Sequence, residues 1–246
     1  MRAVVLAAGC GSRMGERTAD RPKCLIEVDG RTLLERQLAA LGRASEVAVV
    51  TGWQAERFEH RSVRRFHNPD WATSSMLDSL ACAGEWLADG PTLVSYGDIV
   101  YTTETVAALA AARAPIAIAY DPDWHAQWSR RFEDPLSDAE TFAIAADGTV
   151  TGIGERPTSL DEVQGQYVGL LKLEPSGWCA LRDELAGTGR RDTTGVLARV
   201  IRGGATRVQG VAVRGPWHEF DSAHDLAVGL PVLRRVDRAL FAGTPS

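Results

Sequence analysis

The chain has 246 residues, 45% of them hydrophobic and 24% charged, and its 27 basic and 32 acidic side chains leave a formal net charge of −5. This composition excludes a disordered or fibrous protein, and a pI near 5.6 without a long basic run excludes a dedicated nucleic-acid binder, which would need a basic face. Of the 27 basic residues 25 are Arg and only two are Lys, Lys23 and Lys172.

In chain order, short β-branched apolar runs at Ala3–Leu6, Val47–Val50, Thr92–Ser95 and Pro115–Ala119 predict strands buried on both faces. Between them, Thr32–Leu41 carries Leu33, Leu34, Gln37, Leu38 and Leu41 at helical spacing, and Ser75–Leu87 and Thr103–Arg113 predict two more helices. Residues 121–138 mix Asp, Pro, Trp and Arg and are expected to form a loop. Glu140–Ile144 and Thr149–Ile153 predict a hairpin around Asp147-Gly148. A strand over Gln166–Leu173, helices over 176–186 and Thr194–Arg202, a strand over Thr206–Val213 and a last helix over Ser222–Ala239 complete the pattern. Alternating strands and helices predict an α/β fold, a mostly parallel sheet with helices on both sides. No linker rich in Pro, Gly or Ser interrupts it, so residues 1–246 are expected to form one domain.

Cysteines 10, 24, 82 and 179 show no C-x-x-C spacing and the five histidines no H-E-x-x-H, which argues against structural zinc and a disulfide scaffold. The apolar runs fall short of the roughly 20 residues that span a bilayer, and Gly9 interrupts the first run too early for a signal peptide. A cytoplasmic protein without membrane or nucleic-acid partners is the expectation.

The chemistry concentrates first in Leu6-Ala7-Ala8-Gly9-Cys10-Gly11-Ser12-Arg13, followed by Pro22-Lys23. Glycines after a first strand let backbone N–H groups approach phosphate oxygens. The P-loop pattern G-x-x-x-x-G-K-S/T is absent, and the third glycine, Gly15, falls one place late for the dinucleotide fingerprint. Arg13 can fork two phosphate oxygens, while Lys23 adds a compact charge from another side. Later, Asp98 of Gly97-Asp98 ends a predicted strand, and Glu219 and Asp221, two apart, share one face of an extended segment. Three carboxylates of this kind could hold one Mg²⁺ and leave positions for water and phosphate. Asp221 could instead cap the helix that follows.

Gly-x-Gly-x-Arg13 with Pro-Lys nine residues on resembles the signature of nucleotidylyltransferases that attach NMP to sugar phosphates and related phosphorylated acceptors. The resemblance implies a Rossmann-like, mostly parallel sheet of the nucleotide-diphospho-sugar transferase type with a β-rich acceptor subregion. It also implies a nucleotide site at Leu6, Ala7, Ala8, Gly9, Gly11, Ser12, Arg13, Lys23, Gly97 and Asp98, and Mg²⁺ on Asp98, Glu219 and Asp221, with Lys23, Arg13 and Asp98 as the catalytic set. Residues 1–120 would mainly bind nucleotide, 121–215 acceptor, and 216–246 would carry the metal-binding segment and a C-terminal helix.

Asn68-Pro69-Asp70-Trp71 and the following Ser74, Ser75 and Ser79 resemble the segment beside the nucleotide in choline-phosphate cytidylyltransferases, although that branch usually carries Asn where Ser74 and Ser75 stand. Thr51-Gly52 is the candidate for the base edge, and helix capping is the competing reading of the serines. Tyr120-Asp121-Pro122-Asp123-Trp124, Trp128, Arg130-Arg131, Asp138-Ala139-Glu140, Tyr167 and Lys172 are similar to the acceptor region of bacterial choline-phosphate and phosphonate cytidylyltransferases. Trp124, Trp128 and Tyr167 could face a choline cation; Arg130, Arg131 and Lys172 could meet an anionic phosphonate, and the tandem arginines tilt toward the latter. The resemblance thus implies transfer of CMP from CTP to a small phosphonate or phosphate acceptor with release of pyrophosphate. A sugar-1-phosphate nucleotidylyltransferase using UTP, dTTP or GTP, and a non-catalytic nucleotide-binding homologue, stay open as alternatives, as does a homodimer.

Overall fold

The four apolar runs become the middle of one sheet. The computed structural model describes residues 1–59 and 61–242, so 243–246, the end of the expected C-terminal segment, lie outside the described residues. The chain opens with β1 (Arg2–Ala7), the glycine loop, and a small hairpin of β2 (Glu27–Val28) and β3 (Arg31–Thr32). α1 (Leu33–Ala40) starts on a capping box in which Thr32 and Glu35 satisfy each other's backbone N–H groups. Next come β4 (Val47–Thr51), β5 (Arg64–His67), α2 (Met76–Ala81), α3 (Gly84–Asp89), β6 (Thr92–Tyr96), β7 (Ile99–Val100), α4 (Thr103–Ala110) and β8 (Ile116–Asp121). The remainder is α5 (Trp124–Arg131), β9 (Phe142–Ile144), β10 (Val150–Ile153), β11 (Gln166–Leu173), α6 (Pro175–Leu185), α7 (Thr193–Gly203), β12 (Val208–Ala212), β13 (His218–Glu219) and α8 (Ala223–Phe241).

Seven strands form the main sheet in the order β12-β8-β11-β6-β1-β4-β5. Only β11 runs against its neighbours. This is the mostly parallel sheet flanked by helices that the alternation predicts. Successive residues of β1 point to opposite faces, so Val4 and Leu6 join one apolar layer with Leu80 and Trp178, while Ala3 and Val5 join another with Leu25 and Trp124. A smaller cluster of Leu33, Val100, Phe220, Leu233 and Val236 fastens α8 to the edge of the second layer. Because β1, β4 and β6 are parallel, their carboxyl ends meet on one side of the sheet, where ligands of open α/β folds bind. Among the described residues no helix is long and apolar enough to cross a membrane.

Three local expectations need correction. Residues 124–131 are helical rather than loop, with Trp124, Trp128 and Arg131 on the buried side; the 4-and-3 spacing was present but masked by polar neighbours. The single helix expected over Ser75–Leu87 is two, because buried Ala83 leaves helical geometry where Trp178 packs over Gly84. β5 was not anticipated, since Arg64-Arg65-Phe66-His67 is a charged edge strand without apolar alternation.

Arg36 ties α8 to α1. Fully buried, it donates through Nε and Nη2 to Asp237 (both 2.7 Å), through Nη2 to the Val28 carbonyl oxygen (2.8 Å) and through Nη1 to the Arg31 carbonyl oxygen (2.5 Å). Arg36→Met leaves the Asp237 carboxylate without its cation and is expected to lower the unfolding free energy by about 3 kcal/mol in urea titrations.

Candidate functional site

Three glycines let the walls of the site approach one another. Gly11 sits at φ +61°, and a Cβ there would lie 3.1 Å from Lys23 Cε, so the loop wraps the lysine stem. A Cβ on Gly97 would stand 2.5 Å from the Leu6 carbonyl oxygen, and one on Gly52 would meet Trp71 Cβ at 2.5 Å. Gly97 therefore brings Asp98 against the end of β1, and Gly52 seats the Trp71 ring.

A first cavity of about 340 Å³ is lined by Leu6, Ala7, Ala8, Gly9, Gly11, Ser12, Arg13 and Lys23, with Trp71, Met76, Ser79, Gly97 and Asp98. Lys23 Nζ lies 2.9 Å from Asp98 Oδ2 and 2.7 Å from Asp221 Oδ1. Arg13 pairs with the other oxygen of Asp221. Burial works against the charge on Lys23, but the carboxylates of Asp98 and Asp221 outweigh it and hold its pKa above the ordinary lysine value. β13 pairs antiparallel with β7, and Phe220 N–H donates to the Asp98 carbonyl at 2.8 Å, which sets Asp221 opposite Asp98.

The expected triad of carboxylates is not assembled: among the described residues no group of three His, Cys, Asp or Glu is arranged to hold a metal ion. Lys23 separates Asp98 from Asp221, and Glu219 pairs with Arg131 at 2.8 Å. Burial raises the Glu219 pKa, Arg131 pulls it down, and the charges of Asp98 and Asp221 push it up again. Asp98 keeps one buried oxygen, Oδ1, without a partner. Asp221 does not cap α8; Ser222 does, in a capping box with Asp225.

A second cavity of about 260 Å³ adjoins the first, sharing Met76, and is lined by Tyr96, Trp128, Asp138, Glu140, Tyr167, Arg190, Thr193, Thr194 and Glu219 among others. Of the expected acceptor residues, Trp128 and Tyr167 reach it. Arg131 stands behind Glu219, its side chain 1% exposed and also bonded to Asp225 at 2.8 Å. The other three require correction. Trp124 is a core residue whose Nε1 donates to the Val163 carbonyl; Arg130 is exposed and lines neither cavity. Lys172 lies toward the opposite end of the sheet, paired in register with Leu93 and Ala117, where Nζ binds the Ala112 carbonyl (2.6 Å) and Glu174 (2.7 Å).

The base-edge candidates change similarly. Thr51 is 2% exposed and spends its hydroxyl on the Phe66 carbonyl, so it does not line the first cavity. Ser74 accepts from Asn68, Ser75 caps α2 with Asp78, and only Ser79 lines the cavity. Sequence reasoning assigned no role to Trp71, Met76, Asp138, Glu140, Thr193 or Thr194. Trp71 and the Asp138-Ala139-Glu140 run lay within stretches of resemblance, but nothing local marks them as cavity-lining.

A family model of the MobA-like NTP transferase domain matches residues 3–182. The CTP:phosphoglutamine cytidylyltransferase of Campylobacter jejuni is 33% identical over 184 residues, 70% of this chain and 72% of that protein. The CMP-5'-(3-aminopropyl)phosphonate synthase of Streptomyces rubellomurinus is 36% identical over 129 residues, 48% of this chain and 20% of that protein. Among solved structures, the inositol-1-phosphate CTP transferase from T. maritima shares the fold, with a TM-score of 0.76 over 96% of each chain at 17% identity. Fold and relatives together define a nucleotidyltransferase. The chain belongs to the MobA-like NTP transferase family.

His218, next to Glu219, is 2% exposed, with Nδ1 2.6 Å from Gln127 Oε1. Burial, reinforced by the charge of Arg131, lowers its pKa to about 4. The unfolded chain takes up this proton near pH 6.5 and the folded chain does not, so the contribution of His218 to stability falls as pH drops from 6.5 toward 4, by about 3 kcal/mol for the full shift. Glu219, whose pKa burial raises, contributes with the opposite sign over the same window, so the effect is read as a difference: in urea titrations the native chain should lose stability relative to His218→Gln as pH falls from 6.5 toward 4.

Proposed function

We propose that the chain transfers CMP from CTP to a small phosphate or phosphonate acceptor and releases pyrophosphate. The observation that carries this reading is the Lys23 ammonium, held between Asp98 and Asp221 at the glycine loop with Arg13 alongside. The choice of cytidylyl is supported by the relatives named for CTP and CMP. An acceptor oxygen attacks the α-phosphorus in line while the pyrophosphate leaves. The attacking oxygen is already ionised at pH 7, so no general base is required. Lys23 neutralises charge on the reacting phosphates, and the exposed Arg13 fork takes the departing ones. Trp71, packed on Gly52 and 5.3 Å from the Trp53 ring, offers an aromatic face for the base. On this reading residues 1–120 supply the nucleotide site, 121–215 most of the acceptor site, and the segment from 216 the late carboxylates.

The residues present fit Mg²⁺. Asp98, with its unpartnered buried oxygen, and Asp221 would hold it, since Mg²⁺ commonly takes one or two carboxylates and fills its remaining positions with water and phosphate. Bound there, Mg²⁺ supplies further neutralisation of phosphate charge. Glu219, engaged by Arg131, stands beside this pair rather than in it.

Pyrophosphate release should depend on Mg²⁺ and be fastest with CTP in a panel of four NTPs; equal rates with all four would remove the cytidylyl assignment. Lys23→Ala and Asp98→Ala should each lower kcat/KM by about 10² or more. Near-native turnover by Asp98→Ala would remove its metal and catalytic roles.

A further inference from the structure

The second cavity has a marked charge imbalance. Five charged side chains line it, and four are acidic: Asp138, Glu140, Asp192 and Glu219 against Arg190. Arg190 is spent on Asp192 at 2.9 and 3.0 Å and touches Glu140 only at 3.4 Å. Among the described residues Asp138 has no basic partner within ion-pair distance, and its carboxylate accepts only the Trp128 Nε1–H at 3.2 Å. Independently of these charges, two hydroxyls in the same wall lack partners. Tyr167 Oη and Thr193 Oγ1 are buried without a bond of acceptable geometry, beside the hydroxyl of Tyr96, and Thr193 is only 2% exposed. Buried polar atoms are nearly always satisfied in a native structure, and an orphan calls for a ligand atom or water.

The surroundings also distinguish between kinds of cation. A trimethylammonium head donates no hydrogen bonds and needs open aromatic faces. Here the Trp128 ring already carries the Arg131 guanidinium, 5.0 Å from its centroid, and Trp124 is in the core. Tyr167 meets Tyr96 edge to face at 86°. A primary ammonium brings three N–H donors, which suits a cavity of carboxylates and hydroxyl oxygens.

We propose that the second cavity seats a primary ammonium group of the acceptor, its charge balanced by Asp138 and Glu140 and its N–H groups accepted by Tyr167 and Thr193. This rests on the CMP-transfer reading and narrows the acceptor to an aminoalkyl phosphate or phosphonate. Tyr167, Thr193 and Asp138 are then specificity-determining residues that discriminate against quaternary and uncharged acceptors.

The test compares 2-aminoethylphosphonate, its N,N,N-trimethyl analogue and ethylphosphonate in CTP-dependent pyrophosphate release. The primary amine should exceed the other two by about tenfold or more in kcat/KM, the scale of a hydrogen bond to a charged group. Thr193→Val and Tyr167→Phe should each cut the ratio of primary amine to trimethyl analogue by about fivefold, chiefly through KM, and Asp138→Asn should lower the preference for the primary amine over ethylphosphonate by about tenfold. Pyrophosphate release that is indifferent to methylation of the amine, or a ratio unchanged in Thr193→Val and Tyr167→Phe, overturns the inference and leaves CMP transfer standing. Failure of all three acceptors where another phosphorylated acceptor releases pyrophosphate from CTP also overturns the inference, whereas no release from CTP with any phosphate or phosphonate acceptor counts against the transfer reading. Calorimetry with 2-aminoethylphosphonate and its trimethyl analogue then decides the cavity by itself: tenfold tighter binding of the primary amine supports it, and equal binding overturns it.

Discussion

The site depends on one partly buried ammonium shared by two carboxylates. Lys23 reaches Asp98, 75 positions away, and Asp221, 198 positions away. Without a cation between them, two carboxylates this close would repel in a region where water screens poorly. With it, three separate segments are drawn to one point: the glycine loop, the turn after β6 and the stretch after β13. Arg13 extends the same network from the solvent side through Asp221. Charges arranged this way are already oriented before phosphate arrives, so less reorganisation is required at the moment of transfer.

A second ion network gives the other cavity its shape. Arg131 on α5 forms ion pairs with Glu219 and Asp225, and Asp225 in turn completes the cap of α8. One guanidinium therefore links the helix after β8, the short strand β13 and the last helix. Its planar fork suits two carboxylates at once, which a lysine could not match. The side chain placed in the acceptor site by the pairing of Arg130 with Arg131 thus acts from behind the cavity wall. Its exposed neighbour Arg130 follows from helical geometry, since adjacent residues on a helix do not share a face.

Much of the fold was legible in the sequence because apolar runs long enough for a buried strand have few alternative uses. β1, β4, β6 and β8 come directly from such runs, and β11 was read with its full bounds. β5 and α5 were not legible. The first is an edge strand whose arginines face solvent, and the second hides three buried residues among polar ones. In the site, Arg13 and Lys23 could be read because the glycine loop holds them within a short stretch. Thr51, Ser74 and Ser75 could not be separated from local hydrogen bonding, because hydroxyls serve backbone groups as readily as ligands. Trp71 gave no local sign, since its place depends on Gly52 of another segment.

The two lysines show where the division falls. By itself the sequence determined the α/β alternation, the anion-binding glycine loop and the pairing of Lys23 with a preceding proline, all features that act within about 20 residues. It could not distinguish the destination of Lys172, a residue equally rare and also on a strand. The antiparallel direction of β11 decided that: Tyr167 lies beside Tyr120 at the end of β8, while five residues on Lys172 lies beside Ala117 near its beginning. The same holds for the carboxylates, where Asp98 and Asp221 share Lys23 but Glu219 belongs to Arg131. Local pattern follows from bond geometry along the chain, whereas charge pairing follows from distance and dielectric across it, and those exist only once the chain has closed.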